Sequence, residues 1–272
     1  MSPGDFAFLA RLLNRRCGLH LTTDKLALVQ RRLAPVMRRF DFKDMDALLC
    51  ELRLGREALA EAVTEAMCVN DTGFFRDADL FRRLHERVLP RLAARRAADR
   101  RLRIWSAATS TGQEAYSLAI LLAETELLRE GWSIELVATD ISVEAIERAE
   151  RGRYAGHEIE RGLDPRMVRW FRRDGHDWVV DASLRRMITF RRFNLLDSFG
   201  WLDDLDLVLC RNVLMYFDRA TRANVLARMA ETLSDDGVLV LGETETPDSG
   251  FVTGADGAGI YGKGRAAVAR AS

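Results

Sequence analysis

Five short apolar runs, Leu102 to Ala107, Ile134 to Thr139, Ile188 to Arg192, Leu205 to Cys210 and Val238 to Gly242, alternate with amphipathic stretches over the C-terminal part of this 272-residue chain. Most of these runs are apolar at successive positions rather than at every second one, as in a strand covered on both faces inside a parallel sheet. Ala115 to Leu128, Val143 to Arg151 and Arg219 to Leu233 lie between them and have the length of crossover helices. The pattern predicts a doubly wound α/β fold for the C-terminal two-thirds.

The first part of the chain reads as helix only. Phe6, Leu9, Leu12 and Leu13, then Leu26, Val29, Leu33 and Met37, recur at steps of three and four, which gathers each set on one helix face. Thr22-Thr23-Asp24 supplies an N-cap signal for the second helix, and shorter helices fit Asp44 to Leu52 and Arg56 to Met67. After Asn70-Asp71-Thr72-Gly73 another helix is expected through Phe74, Phe75, Leu80, Phe81, Leu84 and Val88, ended by Pro90. The basic stretch Arg91 to Arg101 reads as solvated. These signals predict a helical domain over 1–77, a helical linker over 78–101 and the α/β domain over 102–272. Residues 153–187 are too long for a simple connection, and Asp164-Pro165 and Trp178-Val179-Val180 mark a short helix and a strand, so a small α/β subdomain is inserted there.

Composition narrows the function classes. Hydrophobic residues make up 48% and charged residues 30%, a globular balance, and 41 basic against 41 acidic residues leave no global field to draw the chain onto nucleic acid or an anionic membrane. Cys17, Cys50, Cys68 and Cys210 form no metal-binding or disulfide spacing, and the four histidines form no metal-ligand cluster, so no metal is expected. With no membrane-spanning run and no signal-like N-terminus, the expected location is the cytoplasm.

Ligands of open α/β sheets sit at the carboxyl ends of the strands, so the residues after each run belong together. After the first run, which ends at Ala107, comes Ala108-Thr109-Ser110-Thr111-Gly112-Gln113-Glu114. This is a small-residue turn without the glycines of a dinucleotide fingerprint or the lysine of a phosphate loop, and it suits a ligand without phosphates. After the second run stands Asp140, placed to accept two ribose hydroxyls; the competing reading is a cap on the helix beginning near Ser142. Asn194-Leu195 and Arg211-Asn212 follow the third and fourth runs and add an adenine-edge partner and apolar walls. Together they outline a nucleoside pocket.

These segments resemble the bacterial chemoreceptor glutamate methyltransferases, the CheR family, over nearly the whole chain. Asn70-Asp71-Thr72-Gly73-Phe74-Phe75-Arg76 is similar to the family's N-x-T-x-F-F-R, and Ile104 to Ser117 to its first S-adenosylmethionine motif. Ala138-Thr139-Asp140-Ile141-Ser142, Asn194-Leu195-Leu196 and Cys210 to Asp218 follow in the family's order. There are two departures. The usual G-E-E-P-Y-S reads Gly112-Gln113-Glu114-Ala115-Tyr116-Ser117, and the usual G-H-S-E reads Gly242-Glu243-Thr244-Glu245.

The resemblance implies a Rossmann-like methyltransferase domain that uses S-adenosylmethionine to esterify glutamates on chemoreceptor helices. It implies Asn70, Thr72, Arg76, Ala107, Glu114, Asp140, Asn194, Leu195 and Asn212 at the cofactor, and Arg76, Asn212 and Tyr216 at the reacting carboxylate. It also implies receptor docking by the basic N-terminal helices, which carry Arg11, Arg15, Arg16, Lys25, Arg31, Arg32, Arg38, Arg39 and Lys43. The short Arg172 to Asp177 connection resembles the branch of the family without a C-terminal pentapeptide tether. The alternatives are another methyl acceptor, or a regulatory scaffold that holds the cofactor without turnover.

Overall fold

The first helix, α1 (Pro3–Cys17), opens with a reciprocal cap. Asp5 N–H donates to the Ser2 hydroxyl (3.2 Å) and Ser2 N–H to the Asp5 carboxylate (2.9 Å), while Pro3 occupies the first turn, where its missing N–H costs nothing. The helix closes at Gly18, φ +75°, where a Cβ would lie 2.9 Å from the Phe217 ring. α2 (Leu26–Arg39) starts later than its cap signal suggests, because Thr22 bonds Asp24 instead of the helix and a 3₁₀ turn, Thr23–Lys25, intervenes. α3 (Met45–Arg53), capped by Asp44, and α4 (Glu57–Met67) complete the set. Leu9, Leu13, Val29, Leu33, Leu48 and Val63 are fully buried, and truncating one of these leucines to Ala costs about 2–5 kcal/mol. Arg32 is not part of an open basic face: it donates to the Met67 and Cys68 carbonyls (2.8 and 3.0 Å) and closes the end of α4. Arg16 likewise turns inward, to Thr64 (3.2 Å) and Glu57 (2.6 Å).

The structure is a computed structural model that describes residues 1–128, 130–247, 250–254 and 256–264. These residues fall into two units, Met1–Val69 with Met215–Arg222, and Asn70–Leu214 with Ala223 onward. The division lies at 69/70 rather than after residue 77, because Phe74 packs edge-on against Tyr154 and Phe171 (5.0 and 5.2 Å) and Phe75 against Phe81 (5.3 Å), all in the second unit. The expected helix begins only at α5 (Ala78–Arg83), and Pro90 does not end it. The chain runs through a π turn, Leu84–Val88, closed by Leu89 N–H donating to the Leu84 carbonyl, into α6 (Leu89–Arg95). Pro90, which has no N–H to donate, thus sits in a first turn. The basic stretch that follows is more than a linker, since Arg96 donates to Asp206 (2.6 Å) and Asp204 (2.8 Å) and Arg101 already belongs to β1 (Arg101–Ala107).

The second unit is built on a seven-stranded sheet of β1, β2 (Ser133–Asp140), β6 (Ile188–Arg192), β7 (Leu205–Cys210), β8 (Leu233–Leu241), β9 (Phe251–Thr253) and β10 (Ile260–Lys263). Their order is β6-β2-β1-β7-β8-β10-β9, parallel from β6 to β8 and antiparallel at β10 and β9. All five expected strands are present; the two short antiparallel strands β10 and β9 at one end of the sheet escape the pattern. The connections α7 (Gln113–Glu124), α8 (Val143–Arg151) and α11 (Arg219–Thr232) are helices as expected. The insertion is a three-stranded antiparallel sheet, β3 (Arg153–Ala155), β5 (Asp177–Val180) and β4 (Phe171–Asp174), with α9 (Gly156–Glu160), a 3₁₀ turn at Pro165–Trp170 and α10 (Ala182–Met187). The expected end of the domain at 272 lies outside the described residues. Among the described residues no helix is long and apolar enough to cross a membrane.

Candidate functional site

The strand order reverses beside β1, with β2 on one side and β7 on the other, which opens a crevice at the carboxyl ends of these strands. The loop leaving β1 after the buried Ala107 holds three left-handed residues, Ala108 (φ 55°), Ser110 (φ 55°) and Gly112 (φ 92°). Two of them carry side chains, a conformation that persists only when its surroundings impose it. Here Thr109 N–H donates to the Thr139 carbonyl (2.9 Å) and Ser110 N–H to the Asp140 carboxylate (2.8 Å). The buried Asp140 also accepts Ser142 N–H (2.9 Å), whereas the cap of α8 is the Ser142 hydroxyl, which accepts Ala145 N–H (3.0 Å). Asp140 therefore joins the β1 and β2 loops instead of capping the helix. At Gly112 a Cβ would lie 2.7 Å from that of Ala149, so only glycine lets the loop meet α8.

Glu114, in the first turn of α7, is buried and accepts the Ser106 hydroxyl (2.9 Å) and the Arg211 guanidinium (3.1 Å). Burial pushes its pKa up, against the opposing pull of Arg211. Arg211 is itself 1% exposed; it pairs with Asp77 as well, donates to the Arg76 carbonyl (3.1 Å), and lies over the Phe81 ring. This one guanidinium thus ties the 70–77 segment to the first turn of α7. The same segment is held by Phe75 N–H donating to the Ser117 hydroxyl (2.9 Å). Asn70 is exposed and Thr72 half-buried, and Arg76 is half-exposed with its guanidinium on the Asp71 carbonyl (3.0 Å).

Beyond β6, the Asn194 side chain accepts Leu196 N–H (3.0 Å) in a tight turn, and the buried Leu195 has its carbonyl bonded by Arg228 (2.7 Å). Phe193 N–H donates to the Asp140 carbonyl (2.8 Å), which brings that turn beside β2. Beyond β7, Asn212 is left-handed (φ 58°), and its N–H donates to the buried Glu245 (2.7 Å), which also accepts Gly242 N–H (3.0 Å). The second unit therefore gathers Ala107, Glu114, Asp140, Asn194, Leu195 and Asn212 at one edge of the sheet, with Asn70, Thr72 and Arg76 on the segment that Arg211 anchors. Tyr216 groups with the helical unit, where its carbonyl accepts His20 N–H (2.7 Å).

The motifs contain Arg211 and Glu245, yet the sequence alone assigns neither a role. A charged residue directly after the wholly apolar end of β7 is the available signal for Arg211. Of the two departures from the family pattern, Gln113 donates its side-chain amide to Glu158 (3.1 Å), a contact a second acid could not make, while Glu243 and Thr244 are exposed. Carboxylates at strand ends, an amide-bearing turn and a loop with no lysine make a site for a nucleoside without phosphates. The Thr109 and Ser110 hydroxyls are buried without a partner among the described residues.

Residues 70–250 match the description "CheR methyltransferase, SAM binding domain", and residues 4–68 match "CheR methyltransferase, all-alpha domain". The chain is 39% identical over 246 residues to chemotaxis protein methyltransferase 1 of Pseudomonas aeruginosa, covering 89% of each. It is 36% identical over 251 residues to the chemotaxis protein methyltransferase of Vibrio anguillarum, covering 90% of each. Over 253 residues it is 37% identical to chemotaxis protein methyltransferase Cher2 of Pseudomonas putida, covering 90% of this chain and 92% of that one.

Proposed function

The chain belongs to the CheR methyltransferase family, and on that premise we propose that it methylates glutamate side chains of chemoreceptors, using S-adenosylmethionine and forming methyl esters. The observation that carries this reading is the placement of Asp140, Asn194 and Asn212, from family-matching segments far apart in sequence, at the carboxyl ends of the parallel strands β2, β6 and β7, of which β2 and β7 flank β1. The donor set fits the cofactor: a buried carboxylate for a ribose diol, an amide for the adenine edge, an acid at the α7 first turn for an amino group, and two enclosed hydroxyls without partners among the described residues.

When bound, S-adenosylmethionine supplies a sulfonium-activated methyl group. Asp140 would hold the ribose, Asn194 and Leu195 the adenine, and Glu114 the amino end, with Ala107 lining the floor. Thr72 and Arg76, whose planar fork binds carboxylates, would take a carboxylate of the cofactor or of the acceptor, and Asn70 flanks them. Asn212 would orient the acceptor. The acceptor glutamate is already ionised at neutral pH, its ordinary pKa being about 4.3. No side chain has to remove a proton, and the work of the site is to align the reactants and exclude water.

Exposed Arg11, Arg15, Arg31, Arg38 and Arg39 on α1 and α2 supply the positive charge for docking acidic receptor helices. The β4 to β5 connection is the two-residue turn Gly175-His176, and this supports methylation without a pentapeptide tether.

Calorimetric titration with S-adenosylhomocysteine tests the cofactor assignment. Asp140→Asn keeps the side chain's shape but weakens two hydrogen bonds to the diol, so affinity falls by about 2–3 kcal/mol. Unchanged affinity would refute the placement.

A further inference from the structure

We propose that Glu245 is a positioning residue for methyl transfer: by gripping the backbone of Asn212 it sets where Asn212 presents itself to the reacting carboxylate. The inference rests on the methyltransferase reading above. Glu245 is 5% exposed, and one of its oxygens collects N–H groups from the ends of two neighbouring strands, Asn212 after β7 (2.7 Å) and Gly242 after β8 (3.0 Å). Hydrogen bonds to a buried carboxylate are among the strong ones, and this pair falls where the backbone needs support. Asn212 is left-handed (φ 58°), a conformation that Asn tolerates better than other residues with side chains but that its surroundings still have to hold.

Gly242 is required on the other side of the grip. A Cβ on it would stand 2.8 Å from Asn212 Nδ2, 2.8 Å from Glu245 Oε2 and 3.1 Å from Asn212 N, although its own φ is not left-handed. Its smallness is what lets the end of β8 press against Asn212. One residue earlier, Arg211 carries the buried ion pairs to Glu114 and Asp77, so a shift of the Asn212 backbone would also move the anchor of the 70–77 segment. Within Gly242-Glu243-Thr244-Glu245 the two residues that differ from the family pattern are exposed, and the two that are buried are the glycine and the final acid.

Two variants loosen the grip by separate routes. Glu245→Gln keeps shape and an acceptor but removes the charge, whereas Gly242→Ala leaves Glu245 intact and wedges a methyl group between it and Asn212. Titration with S-adenosylhomocysteine counts binding-competent sites, and steady-state methylation of receptor-containing membranes is expressed per competent site. Both variants are expected to keep affinity within about threefold and to lose about tenfold or more in kcat per site. A merely structural Glu245 would reduce the number of competent sites and leave kcat per site within about threefold, and that outcome overturns the proposal. A loss of affinity as large as the loss of kcat overturns it too. Should Glu245→Gln not fold, Gly242→Ala reads the same two outcomes alone. A native protein that neither binds nor methylates refutes the methyltransferase reading itself, and this inference with it.

Discussion

Replacing Arg211 by Met removes the cation shared by Glu114 and Asp77 while keeping much of the side chain's bulk. In the native protein that guanidinium is 1% exposed and 3.1 Å from Glu114. Without it, Glu114 keeps the Ser106 hydroxyl (2.9 Å) as its hydrogen bond among the described residues. Breaking a buried ion pair from one side costs about 3–5 kcal/mol. In a unit of this size 1 kcal/mol moves Tm by about 2–4 °C, so Tm should fall by roughly 6–20 °C. The loss depends on pH with a definite sign. Burial already holds the Glu114 pKa above its ordinary value of 4.5, and removing Arg211 raises it further. A raised carboxyl pKa means that the native state keeps a proton which the unfolded chain has released, so between the ordinary and the folded value stability falls as pH rises. Urea unfolding of native and Arg211→Met protein between pH 5 and pH 8 should therefore show a deficit that is largest at the alkaline end and shrinks toward acid. A deficit below about 1 kcal/mol at pH 8, or one that grows on acidification, would refute the reasoning.

Three further expectations follow from particular contacts. Gln113→Glu places a carboxylate against Glu158 and should lower stability by about 1–2 kcal/mol, and adding Glu158→Gln should return most of the loss in a double-mutant cycle by thermal unfolding. Arg31→Glu with Arg38→Glu should weaken receptor methylation and flatten its salt dependence while S-adenosylhomocysteine affinity is unchanged; Arg32→Glu, by contrast, should lower the Tm of the helical unit because it strips the α4 carbonyls of their donor. A free receptor C-terminal pentapeptide should show no saturable micromolar binding by calorimetry, and saturable binding would mean that the short Gly175-His176 turn leaves a usable strand edge.

The parallel strands were readable because burial on both faces writes a continuous apolar run, as in residues 207–210, which are buried throughout. α8 and the inserted subdomain were readable for equally local reasons, an amphipathic period in the first case and the Asp164-Pro165 and Trp178-Val179-Val180 signals in the second. Asp140 was legible as a site residue from its place after a strand, but its hold on Ser110 was not, since nothing local announces that the β1 loop turns left-handed three times. Arg211 and Glu245 act on partners far away along the chain, Glu114 and Asp77 in one case and Asn212 in the other, and no periodicity encodes such pairings. Pro90 misled because a π turn absorbs its missing N–H, and Arg32 because an arginine that caps a neighbouring helix looks the same in sequence as one in water. The antiparallel strands β9 and β10 are three and four residues long, too short for an alternating pattern to register.

The most direct measurement supplies the protein with S-adenosylmethionine carrying a labelled methyl group and membranes bearing chemoreceptors from the same organism. Label should enter the receptor band and leave as volatile methanol after mild base, as a glutamate methyl ester requires, and Asp140→Asn should abolish the signal at limiting cofactor. Label that survives base, or that appears only on other proteins or small molecules, would contradict the assignment of chemoreceptor glutamates as the acceptor.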